Sequence, residues 1–206
     1  MNRYQPRIPT ASALGVHQDA EVEYIQSSGG QYVAIGVKDI SRYVVDFEPT
    51  SFSDLGSVIS VVNSDGGAWR GDTIGLIRLR TNGYQVHKDN GWATISIDYA
   101  GRHVADMNLS VGYFMIDDYR ITMTGVFGIK DYIVLSAWTE SGQRMAKCKY
   151  YGFKVWDAKG MLSFNMVPVR FTNNDGISEG AMYDRVSGLL FRNSGTGQFL
   201  IGPDKE

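Results

Sequence analysis

A single cysteine, Cys148, excludes an intramolecular disulfide and any multi-cysteine zinc site, so packing must hold the fold together. Nowhere do 18 apolar residues run together, which leaves no candidate for a membrane-crossing helix. The opening residues, MNRYQPRIPTASALGVHQ, contain no apolar stretch long enough for a signal-peptide core. Positive charge is not in surplus. With 20 Lys and Arg against 22 Asp and Glu, the formal net charge is -2, and sequence-independent binding to nucleic acid is disfavoured. A sustained 3.6-residue hydrophobic period is also missing, which confines helices to short connectors. No internal repeat of about 20 to 50 residues points to a propeller or solenoid.

What is present is β-forming. Hydrophobic residues make up 43% of the 206 and charged residues 20%, enough apolar material for a core in one domain. The 24 glycines fall between short runs of Val, Ile, Tyr and Phe, the spacing of many strands joined by tight turns. Tyr43, Val45 and Phe47 alternate with Arg42 and Asp46, and Ile95, Ile97 and Tyr99 alternate with Thr94, Ser96 and Asp98, predicting two half-buried strands. Further strands are predicted over 56–62, 74–80, 112–116, 132–138, 148–156, 162–171, 181–184 and 189–192. Asn63 to Gly67, Thr81-Asn82-Gly83, Asp89-Asn90-Gly91 and Asn173 to Gly176 supply the turns between them. So many antiparallel strands without helical crossovers predict an all-β, two-sheet sandwich. Residues 1–20 differ, with Pro6 and Pro9, small polar residues and no alternation; they read as an extended N-terminal arm ahead of a domain over 21–206.

Two stretches carry a family resemblance. The first runs from Glu23-Tyr24-Ile25-Gln26-Ser27-Ser28-Gly29-Gly30-Gln31-Tyr32-Val33 to Gly36. The second begins at Met166-Val167-Pro168-Val169-Arg170, passes Asp175-Gly176, Gly180, Met182-Tyr183-Asp184 and Gly188-Leu189-Leu190-Phe191, and ends at Asn193-Ser194-Gly195-Thr196-Gly197-Gln198-Phe199. Together they resemble the opening and closing signatures of concanavalin A-like (laminin-G-like) jelly-roll modules of gut-bacterial surface proteins and of phage tail and fibre proteins. The resemblance implies a jelly-roll sandwich closed by neighbouring first and last strands. From the residues themselves, Gln26 to Gly30 is a hairpin or a tight sheet corner, and Asp184 to Gly188 is a reversal.

The resemblance includes glucanases, whose paired carboxylates alternate along one strand so that acid and nucleophile enter the same cleft. Asp46-Phe47-Glu48 is the nearest candidate, but Val44 occupies the preceding partner position and Pro49 follows at once; a solvent-facing strand is the better reading. Asp117-Asp118 reads as a turn. His17, His87 and His103 have no Ser or Cys neighbour in a nucleophile motif, so no catalytic residue is assigned. Asn63, Asp65, Asn173, Asn174 and Asp175 have oxygens suited to calcium, yet turns use the same residues for backbone reasons, and neither metal nor cofactor is assigned. Arg70-Gly71-Asp72 spells an integrin-binding tripeptide by chance. Arg78 and Arg80 share a strand face that reads as solvated. Cys148 alternates with Lys147 and Lys149, which predicts a buried, inert thiol.

A sugar face stacks on an exposed aromatic ring while neighbouring polar groups satisfy its hydroxyls. Trp69 and Trp92 stand beside turns and Tyr84 follows Asn82-Gly83, so Trp69, Arg70, Asn82, Tyr84 and Trp92 form the expected carbohydrate patch; Trp138 and Trp156 are expected in the core. With a Met at its start and no export signal, the chain reads as a whole small phage virion protein from a head fibre, tail fibre or baseplate. Its arm, with Tyr4, Pro6, Ile8 and Pro9, is expected to dock on other virion proteins while the sandwich faces host polysaccharide. Multiple copies on a particle follow from that reading; the second reading is a bacterial cell-surface adhesin. No nucleic acid and no membrane are expected as partners.

Overall fold

A computed structural model describes residues 18–37, 39–52, 56–62, 73–81, 83–88, 91–122, 132–137 and 144–206. Its strands are β1 (Ala20–Glu21), β2 (Ile25–Gln26), β3 (Val33–Gly36), β4 (Ile40–Pro49), β5 (Ser57–Val62) and β6 (Thr73–Arg80). They continue as β7 (Gly83–Lys88), β8 (Gly91–Ile95), β9 (His103–Asn108), β10 (Tyr113–Ile116), β11 (Tyr119–Thr122) and β12 (Tyr132–Leu135). The last are β13 (Cys148–Asp157), β14 (Leu162–Thr172), β15 (Ser178–Asp184), β16 (Leu190–Phe191) and β17 (Leu200–Ile201). Among the described residues there is no helix, as the absent helical period predicts.

Among the described residues the strands pair antiparallel, in two sheets, and one isolated parallel bridge joins Ser57 to Met145. The larger has 11 strands, with the order β11-β10-β9-β4-β13-β14-β15-β16 and with β1, β2 and β17 filling the fork where β14 leaves β13. The smaller has 6, in the order β3-β12-β5-β6-β7-β8. Strand β4 shows why the sheets face each other. Tyr43, Val45 and Phe47 are fully buried while Arg42, Val44, Asp46 and Glu48 between them are half-exposed, the two-residue period of a strand with one wet face.

One core fills the space between the sheets. Tyr43, Val45, Phe47, Met107, Phe114, Phe153 and Val155 come from the larger sheet, and Ile35, Ile59, Ile77, Leu79, Tyr84 and Ile133 from the smaller. The Phe47 and Tyr84 rings meet edge to face at 5.8 Å, and the Tyr150 hydroxyl donates across to the Val58 carbonyl at 2.7 Å. That bond satisfies the one polar atom of a wholly buried ring and contributes about 1 kcal/mol. A second apolar cluster, Val167, Val169, Phe171, Ala181 and Leu190, lies on the opposite face of β14 to β16, with the Arg192 guanidinium over Phe171.

The two stretches that carry the resemblance pack on each other. Gln26 to Gly30 takes the chain from β2 in the larger sheet to β3 in the smaller, so the tight corner, not a hairpin, is what forms. Ser27 Oγ donates to the Gln31 carbonyl, Gln31 Nε2 donates to the Thr196 carbonyl, and the Thr196 amide donates to the Gly30 carbonyl. A Cβ on Gly195 would sit 2.1 Å from the Gly30 oxygen, so only glycine lets these backbones meet. Strand β17 pairs with β2 and Asp204 bridges to Val22, placing the first and last strands side by side. The paired chain starts before the expected boundary at residue 21: the Asp19 amide donates to the Arg170 carbonyl and Ala20 is already in β1.

Two expectations about strands change. The strand expected through Ile95, Ile97 and Tyr99 ends at Ile95; Ile97 and Tyr99 lie in a loop and still pack on the core, so their alternation reports burial without pairing. Pro49 is the last residue of β4 and paired with Cys148, so it sits inside the strand end it was expected to follow.

Candidate functional site

Of the expected patch, Tyr84 and Trp92 are among the described residues. Trp69, Arg70 and Asn82 lie outside the described residues, as do Asn63, Asp65, the tripeptide at 70–72, Trp138 and the arm residues Tyr4, Pro6, Ile8 and Pro9. Tyr84 is corrected: its ring is fully buried between Phe47 and His103, and its hydroxyl donates to the Tyr99 carbonyl, so no sugar reaches it. The turn before it misled, because Gly83 starts a strand whose alternation points Tyr84 inward. Trp92 on β8 is 41% exposed, and the Arg78 guanidinium stacks on it at 3.4 Å. Arg78 is therefore not a solvated face residue; it is buried and donates through Nε and Nη2 to Gln85 Oε1.

Trp156 is the opposite case. Expected in the core, it is half-exposed on the outer face of the larger sheet, because Phe153 and Val155 take the inward positions on either side of Lys154. It opens a band of rings and charges across β11, β10, β9, β4 and β13. Cross-strand pairing sets Arg42 opposite Trp156, with the guanidinium 4.8 Å from the ring centroid. The same Arg42 holds Asp106 through two bonds of 2.8 and 2.6 Å, Tyr113 donates its hydroxyl to Asp106, and Arg120 stacks on Tyr113 at 4.4 Å.

A second cluster surrounds a bulge in β13. The register shifts between Tyr150 and Gly152, so Tyr151 is an extra residue whose ring joins the outer face. Its hydroxyl donates to Glu48 at 2.5 Å, Arg102 stacks on it at 3.9 Å, and Tyr24 meets it edge to face at 5.6 Å. Arg102 grips Asp46 with bonds of 2.8 and 2.7 Å. Lys149 pairs with Glu48 at 3.0 Å and lies 4.9 Å from the Tyr24 centroid. These residues escaped sequence reading because nothing in the order Tyr-Tyr-Gly-Phe shows which residue the bulge leaves unpaired.

The electrostatics oppose acid catalysis here. The Tyr151 hydroxyl, and after it the Lys149 ammonium, hold the Glu48 carboxyl below its ordinary range against a desolvation that pushes the other way. A general acid needs a carboxyl kept protonated near neutral pH, which is the reverse shift. Asp46 and Asp106 are each held by an arginine in a two-bond fork, and those bonds in turn raise the guanidinium pKa values.

His103 is buried with Nδ1 2.6 Å from Asp117 Oδ2 and with Nε2 unpartnered beside Phe47 and Tyr84. Asp117 lies in the β10–β11 turn that its pairing with Asp118 suggests, at a φ of 49°. Among the described residues no group of three or more His, Cys, Asp or Glu is placed to hold a metal ion. Asn173 uses its side-chain oxygen to accept the Asp175 and Ile177 amides, the backbone role that turns give it. Cys148 is buried, and burial pushes its thiol pKa up.

No protein-family model matches the chain, and no curated protein matches it.

Proposed function

We propose that the chain is a non-catalytic virion protein of a head fibre, tail fibre or baseplate, whose concanavalin A-like jelly roll faces outward and binds glycans of the host surface. The outer face of the larger sheet carries this reading. Tyr24, Tyr113, Tyr151 and Trp156 offer ring edges and faces there, interleaved with Arg42, Arg102, Asp46, Glu48 and Asp106 as hydrogen-bonding groups for sugar hydroxyls. The ion pairs fix these side chains before a ligand arrives, which lowers the ordering cost of binding. The arm, through Tyr4, Pro6, Ile8 and Pro9, is the segment proposed to dock on other virion proteins, and the protein is proposed to occur there in many copies.

The test is an array of bacterial surface polysaccharides. Trp156→Ala and Tyr151→Ala are expected to weaken glycan binding about tenfold each, as truncation of an aromatic anchor does, with Trp92→Ala close to the parent protein. Equal binding by the Trp156 and Tyr151 variants and the parent overturns the sheet-face site. Mass spectrometry of purified particles tests the location: the protein on bacterial envelopes and missing from particles supports the adhesin instead.

A further inference from the structure

Two cations of the outer face stand outside its ion pairs. Among the outward-facing side chains of β10, β9, β4 and the middle of β13, the carboxylates are Asp46, Glu48 and Asp106; at the margins, Asp157 ends β13 and accepts the Lys159 and Met161 amides, and Asp117 and Asp118 form the β10–β11 turn, where Asp117 meets His103. Each of the first three is taken by a cation: Asp46 by Arg102, Glu48 by Lys149 and Asp106 by Arg42. Arg120 and Lys154 stand on the same face, both exposed, and no carboxylate among the described residues lies within ion-pair distance of either. Lys154 lies opposite Val44, and Arg120 opposite Met115, so neither has an acidic cross-strand neighbour. At the margin beside β2, Glu23 and Lys147 are both exposed, and the Glu23 charge acts on Arg102. Within the described strands of this face, Arg120 and Lys154 are thus the exposed cations that no ion pair holds, with the carboxylates of Asp118 and Asp157 at the margins.

The rings point the same way. The four rings of the band, of Tyr24, Tyr113, Tyr151 and Trp156, each have a lysine or arginine cation within 5 Å of the centroid. A neutral sugar gains most from a bare ring face; here the cations compete for those faces and add positive charge at each of them. Arg102 remains 55% exposed while stacked, so its guanidinium is part of the surface that a ligand meets.

We infer that the ligand of this face is an acidic glycan, a polysaccharide carrying carboxylates along its chain, with Arg120 and Lys154 as its charge-reading residues. The inference rests on the glycan-binding reading above. Spacing the acidic groups along a sugar chain lets them meet Arg120 on β11 and Lys154 on β13 while the sugar rings cross the aromatic band between. Exposed charge contacts of this kind are individually weak and salt-sensitive.

The experiment compares polygalacturonate with dextran, and with poly-L-glutamate as an acidic polymer without sugar, for the full chain and the Arg120→Gln/Lys154→Gln variant. Both substitutions are at exposed positions, and an unchanged melting temperature checks that the variant folds. The expected result is binding to polygalacturonate that weakens as sodium chloride rises, much weaker binding to dextran, and a loss of about fivefold in the double variant. Equal affinity for polygalacturonate and dextran, or a double variant as tight as the parent, overturns the acidic ligand and leaves the glycan site standing. Binding to poly-L-glutamate but not to polygalacturonate overturns it in favour of an acidic peptide. Failure to bind any glycan, on the array or here, overturns the underlying reading as well.

Discussion

Glu48 shows how one side chain on the outer face ties charge to stability. Its carboxyl is depressed in the folded state by Tyr151 and Lys149, so its contribution is present above the unfolded carboxylate value of about 4.3 and is lost as pH falls through the folded one. Chemical denaturation of Glu48→Gln is expected to show a loss of about 1 kcal/mol at pH 7. The gap from the parent should close toward pH 2; a constant difference across that range would contradict the linkage. Cys148 gives a second handle at this scale. Its thiol is buried and held protonated, so reaction with a thiol reagent is expected only after unfolding, at a rate that follows denaturant concentration. Modification of the native protein within minutes at pH 8 would show that β13 opens locally.

At the scale of elements, the corner between β2 and β3 and the loop after β16 act as one joint. Gly195→Ala places a methyl group against the Gly30 carbonyl and is expected to cost about 2–3 kcal/mol, read as a lowered urea midpoint. An unchanged midpoint would mean that the two backbones separate easily. Much of this architecture was legible in the residues: alternation located β4, which has one wet and one dry face, and apolar runs located β10, β13 and β14, the last buried on both faces along Met166 to Val169. Strands β7 and β9 were not recognised, nor were β1 and β11. Gly83 looked like part of a turn, and Val104, half-exposed on the outer face, blurs the alternation of β9. The candidate site was less legible still. Residues that meet in it lie far apart in the chain, as Glu48 and Tyr151 do at 103 positions, and a bulge sets which tyrosine faces outward. Trp156 is the exception, since simple parity with Lys154 would have put it outside.

For the whole molecule, the described chain is one core between two sheets with pairing that already includes Asp19 and Ala20. A truncation that tests the docking arm must therefore stop at residue 17. Removal of 1–17 is expected to leave the melting temperature within a few degrees of the parent and to abolish incorporation into particles; normal incorporation would remove the arm's proposed role. The bridge between Val22 and Asp204, next to the β2–β17 pair, bears on how such a unit can be handled. Because entry and exit stand shoulder to shoulder, the polypeptide can be rewired: a short flexible splice between residues 206 and 18, with new ends cut in the exposed turn at Asn174 and Asp175, would preserve every strand and give a circular permutant with the same hydrophobic interior.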